Sequence, residues 1–249
     1  MKLFSRKLFD KFNQNTRDTE QYRRFENIMQ YSRMLIDRTK DDPVKQFSIF
    51  CLIKLLSAKI TNDNVLEVIQ TNKTICDPYR SLDIDSLLMD KNTDLIKLFY
   101  SELVLGRDIT KKFNVDLDAD PVITTVWEKG RLINTLSDIG IPSNEWKEQR
   151  LNHYANLFLP LGLCILDNGF HSTYSGIIKA KGSFAFNDDC NHHIYDITPS
   201  YDYMLFDGVY YKTKDGNRIL GRGLSFEFGC IYEIGRIISE NNISFLNSK

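Results

Sequence analysis

The sequence has no excess of charge of either sign: 32 lysines and arginines stand against 33 aspartates and glutamates, a formal net charge of −1. That balance excludes a chain-wide electrostatic footprint for nucleic acid and leaves room only for a local basic patch. Long hydrophobic runs are also missing, and with them any membrane span. The opening stretch MKLFSRKLFDKF carries charges inside its short apolar segment and has no cleavage site of small residues. Neither a secretory signal nor an anchor is indicated, and a cytoplasmic location is expected. The five cysteines (Cys51, Cys76, Cys164, Cys190, Cys230) are scattered, odd in number and without a C-x-x-C pair, so neither a disulfide framework nor a zinc ribbon is suggested. No G-x-x-x-x-G-K-[ST], H-E-x-x-H or G-x-S-x-G occurs, which removes the P-loop ATPase, zincin and nucleophile-elbow hydrolase readings.

What is present is an ordinary globular composition: 249 residues, 42% hydrophobic and 26% charged, enough to bury a core without staples. Residues 1–112 read as helical throughout. Residues 20–38 form a charged amphipathic stretch with Tyr22, Phe25, Ile28, Met29, Met34, Leu35 and Ile36 on its apolar side. Asp42-Pro43 is an N-cap followed by proline in the first turn and opens a second helix, apolar on most faces, that should be central to this region. Shorter helices are expected at 62–70, 84–89 and 94–105. The basic start (Lys2, Arg6, Lys7, Lys11) is read as a solvated terminus.

The texture changes at residues 116–121. Strand-like runs follow at 122–126, 157–166, 183–186, 194–197 and 204–212, with an Asp215-Gly216 hairpin signal after the last. Helices are expected between them at 131–139, 171–181 and 225–239, the last with Ser225 as N-cap and a stripe of Phe228, Ile231, Ile234, Ile237 and Ile238. The fold class expected is therefore α+β: an all-helical N-terminal region, 1–115, packed on a mixed α/β domain, 116–249.

The most function-like stretch is PLGLCILDNGFHSTYSGIIKAKG, residues 160–182. It reads as a buried strand at 161–166, a turn on Asp167-Asn168-Gly169, and a helix that opens near His171-Ser172 and closes at Gly182. A strand turning on Asn-Gly into a helix presents unpaired backbone N–H groups, which suit a phosphate or carboxylate. The alternative is purely architectural, with Asn168 or Ser172 capping the helix and His171 bonded to a loop carbonyl. His153, just before the strand, could reach His171 and form an acid/base pair. Asp188-Asp189-Cys190-Asn191-His192-His193 has metal-ligand residue types, but adjacent strand histidines point to opposite sides, so no metal site is assigned. Arg222 beside Glu227 is read as a structural ion pair near the last helix.

The order of a strand, then Trp127-Glu-Lys-Gly-Arg131, the helix LINTLSDIG and LPLGLCILDNGFHSTYSGI resembles the ParB/sulfiredoxin-like fold across residues 120–185. Over its whole length the chain is also similar to a bacterial family of unknown function with an Asn-Gly-x-His-Ser turn in that place. The ParB/sulfiredoxin resemblance implies a phosphate-holding turn at Asn168, Gly169, His171 and Ser172, with Arg131 as the upstream arginine. Ser172 stands where that group has arginine, and Phe170 where sulfiredoxins have cysteine, so cysteine-repair chemistry is not implied.

The function expected is binding of a nucleotide or phosphate-bearing ligand at residues 168–172, with phosphate-ester hydrolysis as the chemistry that could accompany it. In that scheme Arg131 and the backbone amides hold the anion, His171 is acid, base or donor, and Asp167 orients it. The cofactor is unknown. The alternative is a non-catalytic interaction module whose helical half binds a protein partner. Direct DNA binding is a weaker third reading.

Overall fold

The computed structural model describes residues 2–71, 104–105, 112–187 and 190–249. The first helix, α1 (Lys2–Thr39), buries Phe25, Met29, Ser32, Ile36 and Thr39, a spacing of four and three that keeps one stripe on the core. Asp42 caps α2 (Pro43–Gln46) by accepting from the amides of Val44 and Lys45, with Pro43 in the first turn. After a break at Phe47 the chain continues as α3 (Ser48–Thr71). The separate helix expected at 62–70 is thus the end of α3. Asn62 and Asn64 cost a few tenths of a kcal/mol each, and no glycine or proline interrupts them.

The main sheet has five strands in the order β1-β7-β4-β5-β3. Its members are β1 (Val104–Leu105), β3 (Val122–Ile123), β4 (Tyr154–Leu159), β5 (Leu163–Asn168) and β7 (His193–Asp196). β5 pairs antiparallel with β4 and parallel with β3, and residues 163–166 are fully buried. The lack of polar alternation there is therefore that of a strand covered on both faces. The single run expected at 157–166 is instead a β4–β5 hairpin that turns at Pro160–Gly162, where Gly162 adopts φ +59. A second correction concerns β1, which lies inside the stretch expected to be all helical and pairs antiparallel with β7. The expected helix at 84–89 falls outside the described residues, as does the one at 94–105 apart from Val104 and Leu105, which are β1.

Two smaller sheets complete the fold. β2 (Phe113–Asp116) pairs with β6 (Ser183–Phe186), and Phe113 stacks on Phe186 at 5.1 Å. The run expected at 204–212 is split into β8 (Met204–Phe206) and β9 (Tyr210–Thr213), because Asp207 accepts from the amides of Val209 and Tyr210 and closes a turn. β10 (Ile219–Arg222) follows the Asp215-Gly216 turn as expected.

Three helices interleave with these strands: α4 (Lys129–Asp138), α5 (Phe170–Ile178) and α6 (Phe226–Glu240). α6 is the most enclosed. Ser225 caps it, the expected stripe is buried, and so are Tyr232, Glu233 and Gly235, because α1 and α3 cover one side and β8 and the turn at Thr198–Asp202 another. A Cβ on Gly235 would meet Leu161 and the Tyr201 hydroxyl at 2.2 Å, so only glycine allows this approach. Helical and sheet residues join in one hydrophobic cluster running from Phe25 to Phe245. The ion pair expected between Arg222 and Glu227 is not formed: Arg222 reaches Asp18 on α1 at 2.9 Å, and Glu227 lies 3.5 Å from Lys59 on α3. Both acids tie the helical region to the sheet-rich one.

Candidate functional site

Helix α5 starts straight from the end of β5. Gly169, its N-cap, adopts φ +82, and no side chain caps the helix. A Cβ at Gly169 would stand 2.1 Å from His153 Cδ2 and 3.0 Å from the Asn152 carbonyl, so the residue is glycine both for its backbone angle and for the histidine beside it. Asn168 ends β5 opposite Tyr154. Ser172 does not cap either; its hydroxyl donates back to the Gly169 carbonyl at 3.0 Å.

His153 makes contact with Ser172, not with His171 as the sequence had suggested. The Gln149 amide donates to His153 Nδ1 at 2.8 Å, so the ring proton sits on Nε2 and is donated to Ser172 Oγ at 2.7 Å. The direction of that chain settles its chemistry. A serine is activated by an imidazole nitrogen that accepts its proton, and here the facing nitrogen already carries one. His153 is 1% exposed and stacked on Trp146 at 5.1 Å. Burial pushes its pKa down to about 4, against an upward pull from Glu148 and with a smaller downward push from His192. The group is architectural.

His192 belongs to the same inner layer. It accepts from the Ala155 amide and donates to Glu148 Oε1 at 2.8 Å, while Glu148 Oε2 accepts from the Ala185 amide. Burial would raise the Glu148 carboxyl, but these bonds hold it below its ordinary value. His193 is exposed and His192 buried, the opposite-sided arrangement expected of neighbours on a strand. Among the described residues no group of three metal-ligating side chains converges.

The other side of the α5 opening is built from different residues. His171 turns outward from the second helical position and donates from Nε2 to the Glu128 carbonyl at 3.2 Å. Trp127 packs against it edge-to-face at 5.4 Å, and the Arg131 guanidinium lies over the Trp127 ring at 4.5 Å. Glu128 turns its carboxylate away to cap α4, accepting from the Gly130 and Arg131 amides. Those amide bonds lower its pKa. The helix accordingly begins at residue 129, two residues earlier than expected. The His171 pKa is lowered, chiefly by burial and further by Arg131, against upward contributions from the Glu128 carbonyl and carboxylate.

Two of the residues singled out in the sequence, Arg131 and His171, are brought together, although 40 positions separate them. Asp167 does not supply the orienting bond assigned to it: that bond comes from the Glu128 carbonyl, and Asp167 accepts from Asn156 on β4 at 2.6 Å. Trp127 and Glu128, which join the site, stand in the sequence only as part of the Trp127–Arg131 stretch ahead of the expected helix, with no role assigned to either. An aromatic ring next to an unusual glutamate cap is the one local signal they carry.

A family model described as a family of unknown function (DUF6710) matches residues 9–245. No curated protein and no solved structure matches the chain.

Proposed function

The chain belongs to the DUF6710 family, whose function is unknown, so a functional reading has to be carried by the chemistry of the site. We propose that it binds a nucleotide or another phosphate-bearing ligand at the outer side of the α5 opening. The observation that carries this reading is the convergence of Arg131 and His171 on Trp127, next to a helix start that no side chain caps. Arg131 is exposed and has no ion pair among the described residues. A guanidinium and helix amides are the groups that hold phosphate oxygens, and an indole offers a face for a base or sugar.

The histidine gives the reading a pH signature. With Nε2–H committed to the Glu128 carbonyl, neutral His171 presents Nδ1 as an acceptor. It donates to an anion only once protonated, so anion affinity should rise as pH falls below the ordinary histidine value near 6.5. In the hydrolytic form of the proposal, the same Nδ1 takes the proton of the attacking water above that pH. The resemblance of the sequence over residues 120–185 to the ParB/sulfiredoxin-like fold supports this reading by analogy only.

The test is calorimetric titration of sulfate, phosphate and a nucleoside diphosphate into wild type, Arg131→Ala and His171→Ala. Sulfate does not titrate near neutrality, so its pH dependence reports the protein. Each substitution should weaken binding about tenfold, equivalent to roughly 1.4 kcal/mol. Thermal shift is a useful first screen, since ligand at a hundred times its dissociation constant adds about 2.7 kcal/mol. Wild-type affinity in both variants would remove the site.

The protein-interaction reading rests on a separate observation. The outward face of α3 carries exposed Cys51, Leu55, Leu66 and Ile69 along one helical stripe, which is apolar surface of the kind that partners cover. Leu55→Glu with Leu66→Glu should leave folding intact and abolish self-association measured by light scattering. A monomeric wild type would restrict this reading to a different partner.

A further inference from the structure

A cavity of about 640 Å³ opens between α1, the turn at Thr198–Asp202, β8 and the C-terminal half of α6, far along the chain from the α5 opening. Its size falls in the range of small-molecule sites. Phe25, Met29 and Phe206 contribute apolar and aromatic wall, with Phe25 and Phe206 edge-to-face at 5.6 Å. The charges around this wall are not balanced. Asp202 is neutralised by Lys214, Asp207 by Lys212, and Glu233 by Arg236. Arg236 is further spent on the carbonyls of Tyr201 and Met204. That leaves Glu26 and Glu240, both exposed, in the lining with a single further guanidinium, Arg33. None of the three has an ion pair or hydrogen bond among the described residues.

We propose that this cavity is a second binding site, for an organic monocation with an apolar body, such as an arylalkylamine. One carboxylate in excess of the cations gives the mouth a negative potential that concentrates cations. Aromatic walls below it accept the apolar body and add a cation–π attraction that an alcohol of the same shape cannot make. An anion is disfavoured at the mouth by Glu26 and Glu240. The Glu233–Arg236 pair keeps its wall fixed, because the buried Glu233 also accepts from the Phe206 amide at 2.8 Å and so ties α6 to β8. The site is independent of the phosphate proposal and uses none of its residues.

The experiment is titration of phenethylamine, 2-phenylethanol and phenylacetate into the full-length protein, followed by calorimetry and thermal shift. Phenethylamine should bind, the alcohol at least about tenfold more weakly, and phenylacetate not measurably. Glu26→Gln with Glu240→Gln should lose about tenfold in amine affinity and keep the wild-type melting temperature, since both residues are exposed. Glu145→Gln, an exposed residue outside the cavity lining, should change nothing. Equal affinity for the amine and phenylacetate, full amine affinity in the double variant, or no response to millimolar amine would each overturn the assignment.

Discussion

The opening turn of α5 has an inner and an outer side, and the two are built differently although His171 and Ser172 are consecutive. On the inner side Ser172, His153, Gln149 and Gly169 form a closed hydrogen-bond chain in which each polar atom has its partner. On the outer side one ring nitrogen of His171 is bonded and Arg131 stacks on an indole without an ion pair among the described residues. Buried polar groups must be satisfied, because an unpaired one costs about 1–3 kcal/mol; groups left with spare bonding capacity at a surface are free to be spent on a ligand. The difference separates a histidine that holds the fold from one that can act.

Changes on the inner side should be the most costly. Gly169→Ala places a methyl against His153 and forces a left-handed backbone on alanine; unfolding by urea should show a loss of about 3 kcal/mol or more. A loss under 1 kcal/mol would show that His153 can move aside and that the inner chain is not rigid.

Next in size is a pH effect that belongs to the inner histidine. His153 has its pKa depressed from 6.5 to about 4 by burial. Between those values the unfolded chain binds a proton that the folded chain refuses. Its contribution is therefore complete above about pH 6.5 and is lost as pH falls towards 4, roughly 3 kcal/mol in all. Urea unfolding measured across that window should show the slope in wild type and a shallower one in His153→Gln. An unchanged slope in the variant would assign the acid sensitivity to the carboxylates.

On the outer side His171→Ala removes one of two donors to the Glu128 carbonyl, which keeps the Leu132 amide at 3.1 Å. With that helical bond intact a stability loss of no more than about 1 kcal/mol is expected, together with the loss of anion affinity described above. A large drop in melting temperature with binding intact would move His171 to the architectural side of the comparison. The smallest expected effect sharpens the other end of the same helix. Ala180, not Gly182, is the left-handed residue that closes α5, with φ +53 and the Lys181 amide bonded to the Gly176 carbonyl. Ala180→Gly should raise stability by about 0.5–1 kcal/mol, and no gain would mean that the alanine backbone is not strained.

Several of these features could be read before the structure. Asp42-Pro43, Ser225 and the apolar stripe of α6 are local signals that depend only on neighbours in sequence, and each appears where expected. The buried strand expected at 161–166 is also present, shifted by two residues to Leu163–Asn168 because Leu161 and Gly162 are taken up by the hairpin turn. Sequence and structure part where a local pattern has two solutions. The runs at 157–166 and 204–212 are each long enough for one strand, and only Gly162 and the Asp207-Gly208 turn fold them into hairpins. Gly182 looked like the helix stop because glycine usually supplies the left-handed residue; its place is instead against the Trp146 ring, where a Cβ would come within 2.2 Å.

The candidate site divides in the same way. Residue types and the Asn-Gly turn, both properties of the chain itself, determined that residues 168–172 would join a buried strand to a helix start, since backbone angle and apolar burial act over a few residues. Which side chains meet there was decided by tertiary structure. The parallel pairing of β3 with β5 carries Trp127, Glu128 and Arg131 to His171, and the hairpin partner β4 delivers His153 to Ser172. Whether a histidine is proton donor, acceptor or spectator depends on which backbone amide or carbonyl reaches each ring nitrogen. For His171 that group comes from 43 residues away, a distance over which sequence spacing imposes no geometry.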